Sequence, residues 1–307
     1  MAHYTDHIKL VMEKLSFPEE AKNVFVALEK RLDDEADFGK RLDELNARYL
    51  CRENEKQLDC KQLHREIEEL ADEKGVSPYT LDLLFLLNCT QALFERYKEE
   101  SVSESIYWDT MMDLKYKLVE CIDCEEVYGV MCWSWYREFF TMERFAIGRF
   151  QYQMSHTSED YTTKSGYVIK AGTPSLDIHI PSSGIPLTDE VRFDSYKRAH
   201  KYFRDYFETD ESIFECSSWL LYPRHKEFLP PESNILKFDD DFELMSSEEK
   251  EGFSNGWRVF GRYSNLPYDQ LPTDTTLRKV YAQWLIENGV SGGGRGVIVF
   301  DGEKIIN

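Results

Sequence analysis

The period of the hydrophobic pattern changes once along this chain, near residue 144, and that change constrains the fold more than any other feature. Before it, apolar residues recur at three-to-four spacing, as in helices with one buried face; after it, side chains alternate, as in half-buried strands. In 61–74, Leu63, Ile67 and Leu70 fall on one side, Glu66, Glu68, Glu69 and Asp72 on the other, and Gly75 closes the helix. Ser77-Pro78-Tyr79 opens the next helix with an N-cap and a first-turn proline. Its Leu81, Leu84 and Phe85 are flanked by Leu83, Leu86 and Leu87, an arc wide enough for the centre of a bundle. In 144–154, Phe150, Tyr152 and Met154 take one face and Arg149, Gln151 and Gln153 the other. The pattern divides the chain into a helical N-terminal domain, 1–140, and a domain of strands and helices, 141–307. The fold class is α+β.

Within the second domain, 144–154, 167–169 and 176–180 read as three consecutive strands in an antiparallel meander, with Leu176, Ile178 and Ile180 alternating with Asp177 and His179. A Pro/Ser/Gly loop then leads to Thr188, an N-cap followed by Asp189 and Glu190 in a first helical turn. Residues 214–222 read as a strand ending at Pro223. Ser233 caps a helix carrying Ile235, Phe238, Phe242 and Met245. Residues 257–262 read as a short strand, 276–288 as a helix closed by Gly289, and 297–300 as a last strand. The intervening Gly292, Gly293, Gly294 and Gly296 read as a flexible hairpin or lid, since no Lys-Ser/Thr follows them as in a phosphate loop.

Charge excludes some partners. Of 37 Lys plus Arg against 57 Asp plus Glu, giving −20, residues 1–140 hold 18 and 31, so acidity is concentrated in the helical half. Nucleic acid and anionic membrane surfaces would be repelled. No stretch approaches the roughly 18 apolar residues of a membrane span, and the opening MAHYTDHIKL has no leader-like apolar run, so a cytoplasmic chain is expected. The seven cysteines are odd in number and read as reduced thiols; Cys121 and Cys124 form a lone CxxC without the second pair a zinc site needs. Asp239, Asp240 and Asp241 are consecutive on a helix, diverge around it, and read as a solvated face, so no metal is expected.

A strand running through a short loop into a helix places the helix's unpaired N–H groups at the end of a sheet, a natural anion site. At this point the chain resembles the Gcn5-related N-acyltransferase-like (GNAT-like) proteins of bacteria that have a helical N-terminal domain. The phrases that carry the likeness are FAIGRFQYQM at 145–154, LDIHIPSSGIPLT at 176–188, SSWLLYP at 217–223, LPPESNILKF at 229–238 and GVSGGGRG at 289–296. The resemblance implies a GNAT-like mixed sheet flanked by helices, acyl-CoA (acetyl-CoA or another) as co-substrate, no metal, and a small-molecule amine or similar acceptor. It places the coenzyme on the loop, with Ile180, Ser182, Ser183, Gly184 and Thr188, and on Asn234. The family's Gln/Arg-x-x-Gly-x-Gly/Ala pattern is missing there, and two prolines remove two N–H donors.

An attacking ammonium must lose a proton, and His179, on the polar side of its strand beside the loop, is the candidate base. Tyr222 and Ser218 are candidates to protonate the departing thiolate, and Arg149, Gln151 and Trp219 to line the substrate site. Cys216 would offer a covalent route, but nothing near it in sequence lowers its pKa. The alternative to an acyltransferase is a catalytically degenerate GNAT-like binding or regulatory module, for which the missing loop pattern speaks.

Overall fold

The computed structural model of the chain describes residues 5–307. The first four residues of the opening stretch read for a leader lie outside that range. The chain forms two compact units, Met1–Phe145 and Ala146–Asn307.

The first unit is built from α1 (Thr5–Lys14), α2 (Glu19–Asp34), α3 (Ala36–Tyr49), α4 (Cys60–Lys74), α5 (Pro78–Glu99), α6 (Glu104–Glu125) and the single turn α7 (Arg137–Phe140). Asp59 caps α4 by accepting from the Gln62 N–H at 2.9 Å, and Gly75 closes it. The broad apolar arc of α5 does put it at the centre: Leu81 and the run 83–87 are buried on every side. Ser77 precedes α5, but its side chain makes no capping hydrogen bond; its carbonyl accepts from Thr80 and Leu81 instead. Among the described residues, no helix is long and apolar enough to cross a membrane.

The strand β1 (Arg144–Ile147) straddles the boundary, and the second unit holds β2 (Phe150–His156), β3 (Tyr161–Thr162), β4 (Val168–Ile169), β5 (Pro174–His179), β6 (Ser212–Ser218), β7 (Glu243–Glu251) and β8 (Val290–Phe300). Its helices are α8 (Asp189–Tyr202), α9 (His225–Phe228), α10 (Asn234–Asp240), α11 (Trp257–Phe260) and α12 (Thr276–Asn288). Six strands form one sheet in the order β1-β2-β5-β6-β8-β7, in which β5 and β6 run parallel while β2/β5, β6/β8 and β7/β8 are antiparallel. The expected meander is therefore corrected: 144–154 is not one strand but two, β1 and β2, broken at Gly148 with φ +67°; β4 pairs with β3 in a separate two-stranded hairpin, and β2 pairs directly with β5.

Other expectations are overturned, each for a local reason. Residues 257–262 are helical turns, not a strand, because Val259 and Phe260 both donate back to the Gly256 carbonyl. The helix begun at Ser233 stops at Asp240, and Phe242 and Met245 lie beyond it, because Asp241 turns inward to an ion pair and β7 then pairs with β8. The glycine run is neither hairpin nor lid but the middle of β8. A Cβ at Gly292 would stand 2.1 Å from the Glu248 carbonyl oxygen, one at Gly294 2.3 Å from that of Leu221 and one at Gly296 2.8 Å from the Phe242 Cβ, so close backbone approach explains the glycines.

Strand alternation gives the sheet two faces. Phe150, Tyr152, Ile178, Phe214 and Phe300 pack under α8, where the Tyr196 ring stacks on Phe150 and Phe214 at 5.6 and 5.8 Å. On the other face the lower end of β6 and β8 is closed by an apolar cluster of Ile169, Ile213, Val297 and Val299. Above it the same face is polar.

Candidate functional site

The site is set by how far two parallel strands stay together. Between β5 and β6 the ladder runs only through Leu176↔Phe214 and Asp177↔Glu215. Beyond that pair, Ile178 and His179 keep their partners in β2, while Cys216, Ser217 and Ser218 keep theirs in β8. The two strands part toward their C-terminal ends, each tied to its outer neighbour, and a wedge opens in the sheet.

At the β5 edge of the wedge, His179 Nε2 lies 3.1 Å from Gln153 Oε1. With the amide oxygen as acceptor, Nε2 carries the hydrogen and Nδ1 is the basic nitrogen. At the β6 edge the strand stops at Ser218, not at residue 222 as read from alternation, because Ser218 Oγ accepts from the Leu220 N–H at 3.1 Å and turns the chain. Ser217, Ser218 and Trp219 line a cavity of about 450 Å³ continued by Ser246 to Glu248 of β7 and Ser291 to Arg295 of β8. Trp219 is also packed edge-on against Tyr281 and Phe253, each at 5.7 Å. His179, Arg149, Gln151 and Tyr222 are not among the lining residues, which come from the end of β6 with Trp219, from β7 and β8 and from Ser254 and Asn255. The Tyr222 ring is buried under Gly292, and its hydroxyl bonds Glu249, whose charge together with burial pushes the phenol up to about 12.

Glu215 and Arg295 were not singled out from sequence. Arg295 donates to both Glu215 oxygens at 3.1 and 3.3 Å and to Glu159 at 2.8 Å. Burial raises the Glu215 carboxyl above its ordinary value, and Arg295 opposes the shift. The available signal was a carboxylate between Phe214 and Cys216 in an apolar alternation. Cys216 itself is 1 % exposed and burial raises its thiol strongly, which removes the physical basis of a covalent route.

The loop 180–188 leaves β5 and ends at α8. Thr188 Oγ1 caps that helix, accepting from Val191 at 3.5 Å, and Ser183 Oγ accepts from the Ile185 N–H at 3.3 Å. Gly184 adopts φ +75° at the exposed turn, a conformation that favours glycine. Arg149 is buried and directed at this loop: its Nε donates to the Ile185 carbonyl at 2.9 Å and its Nη1 to that of Pro181 at 3.0 Å. Gln151 is 2 % exposed. Asn234 starts α10 behind the Ser233 cap, whose Oγ accepts from Ile235 at 3.2 Å.

Of the aspartate run Asp240 is solvated as expected, and Asp241 is not. Asp241 is buried, receives Arg192 Nε at 2.6 Å and Nη2 at 3.0 Å, and takes the Tyr196 hydroxyl at 3.0 Å. Among the described residues no group of three or more His, Cys, Asp or Glu is placed to hold a metal ion, and none of the seven cysteines is joined in a disulfide.

Comparison with known proteins agrees with this architecture. The family model for a GNAT-like C-terminal domain matches residues 145–298, and that for an N-acyltransferase N-terminal domain matches residues 6–142. Among solved structures, an acyltransferase in complex with decanoyl-CoA and teicoplanin is 21 % identical with a TM-score of 0.76, over 96 % of this chain and 88 % of that one. An acyltransferase mutant in complex with octanoyl-CoA is 20 % identical over the same shares, also at 0.76. At that identity the likeness shows a shared fold. No curated protein matches the chain.

Proposed function

The chain belongs to the N-acyltransferases with a GNAT-like C-terminal domain, and from that premise we propose that it transfers an acyl group from coenzyme A directly to an amine acceptor. The observation that carries this reading is the parting of β5 and β6 after Asp177 and Glu215. Strand edges that have given up their ladder offer backbone N–H and C=O groups to the amides of a pantetheine arm, as an added strand would. The loop 180–188 and the start of α8 then face the diphosphate, and the thioester lies at the strand ends.

In this arrangement the acceptor enters from the cavity beside Ser217 and Ser218, whose lining carries Glu251, the Glu248–Lys250 ion pair and Arg295 among serines and glycines, a polar surface that suits a polar amine. His179 takes the proton through Nδ1 as nitrogen attacks the thioester carbonyl; the C–N bond forms, the C–S bond breaks, and the thiolate is protonated by the Ser218 hydroxyl, which regains its proton from the His179 imidazolium by way of solvent, so that both side chains end as they began. No acyl-enzyme is formed. Cysteines outside disulfides and an acyl-CoA donor fit a cytoplasmic reaction.

The test is a calorimetric and thermal-shift titration with coenzyme A, acetyl-CoA and decanoyl-CoA, followed by thiol release against a panel of amines. Saturable micromolar binding and amine-dependent thiol release support transfer. Absence of binding by all three ligands overturns it in favour of the non-catalytic module.

A further inference from the structure

The loop that would meet the coenzyme lacks the family's donor-rich pattern, yet it is held from inside by two buried arginines. Arg149, 8 % exposed, reaches from the start of β2 to the Pro181 and Ile185 carbonyls, at 3.0 and 2.9 Å. Arg192, 2 % exposed, reaches from the first turn of α8 to the Leu187 carbonyl at 2.7 Å. Its remaining donors are fixed by Asp241, and by the Lys237 carbonyl at 3.1 Å, so the guanidinium cannot swing away from the loop. In a planar trans peptide, C=O and N–H point in opposite directions. Drawing the Pro181 and Leu187 carbonyls onto the guanidinium groups therefore turns the N–H of Ser182 and of Thr188 toward the other side of the loop. Arg192 Nη1 also lies 3.1 Å from Asp189, so this guanidinium is charge-paired and holds the loop by geometry.

We propose that Arg149 and Arg192 are positioning residues for the diphosphate of acyl-CoA: both hold loop 180–188 with its amides outward, Arg192 as a charge-paired anchor and Arg149 as a cation behind the loop. The inference rests on the acyl-CoA reading. It predicts a defect confined to the nucleotide half of the donor, which a merely structural role would not produce.

Dissociation constants of decanoyl-CoA and of S-decanoyl-pantetheine, which lacks the diphosphate, are compared by calorimetry on the full chain and on Arg149→Met, Arg149→Lys and Arg192→Lys, with melting temperatures recorded for each. Arg149→Met is expected to weaken decanoyl-CoA roughly tenfold or more relative to the pantetheine ester, with partial recovery in Arg149→Lys, as for lost charge-assisted hydrogen bonds. Arg192→Lys, which keeps a cation beside Asp241, is expected to shift the same ratio in the same direction even if Arg149→Met fails to fold. Equal weakening of both ligands, or an unchanged ratio, overturns the proposal. A wild-type chain that binds neither ligand overturns the acyl-CoA reading itself, a result distinct from the other two.

Discussion

Asp177 and Glu215 are the last partners in register between the two parallel strands at the middle of the sheet. Everything the proposed chemistry needs lies just past them: His179 two residues along one strand, Ser217 and Ser218 along the other, and the arginine-held loop immediately after. The wedge does not depend on any bulge in β5 or β6. It follows from each strand's stronger commitment to its outer neighbour, six register pairs between β2 and β5 and seven between β6 and β8.

His179→Ala is expected to lower kcat by about 10²-fold or more while leaving the KM for acyl-CoA nearly unchanged, because the proton is taken in the transition state. Gln153→Leu removes the acceptor that keeps the hydrogen on Nε2 and should lower kcat less, by roughly tenfold. Steady-state kinetics with varied acyl-CoA check both. If kcat and KM deteriorate together, His179 is structural.

Ser218 and Tyr222 make opposite predictions for the leaving thiolate. Ser218 lines the cavity, whereas the Tyr222 hydroxyl is committed to Glu249, and burial together with that carboxylate pushes the phenol up to about 12. Ser218→Ala should slow thiol release by roughly tenfold, and Tyr222→Phe should cost about 1 kcal/mol of stability with turnover within about threefold of wild type. Thiol-release rates and denaturant melts of the two variants separate the roles; the reverse ranking would transfer the donor role to Tyr222.

The helical half was legible because a 3.6-residue period carries its own partner information: Leu63, Ile67 and Leu70 name one face without knowledge of what covers it. The candidate site was legible only in outline. His179 and the loop showed as a polar residue and a Pro/Ser/Gly cluster in the right order, but the hold of Arg149 on Pro181 and Ile185 has no spacing signature, since backbone carbonyls look alike in sequence. Asp241 read as solvated because its partner, Arg192, is 49 positions away. The glycines of β8 read as a loop because composition records that a side chain is missing, not what occupies its place; Leu221 fills it at Gly294.

That close approach is itself testable. Gly294→Ala would drive a Cβ to 2.3 Å from the Leu221 carbonyl oxygen and 2.6 Å from Leu244 Cδ1. Backbone must move, so the substitution should destabilise by about 1–3 kcal/mol. Gly166→Ala, where nothing lies within 4 Å but φ is +92°, should show the conformational cost alone. Chemical denaturation of the two variants would find Gly294→Ala the worse; equal losses would mean that the crowding at β8 is relieved by easy adjustment.

His225 gives the second unit a pH dependence of known sign. It is 1 % exposed, its Nε2 bonds the Tyr281 hydroxyl, and burial lowers its pKa from 6.5 to about 4. The unfolded chain protonates this histidine first as pH falls, so its contribution is fully present above the unfolded value and is lost as pH drops from 6.5 through the folded value near 4. The depression corresponds to about 3 kcal/mol at most. Carboxylates titrate in the same window, so the measurement is a difference: His225→Gln should be less stable than wild type at pH 7.5, with a shallower loss of stability between pH 6.5 and 4. Parallel pH profiles for the two proteins would mean that His225 is already solvated in the folded chain.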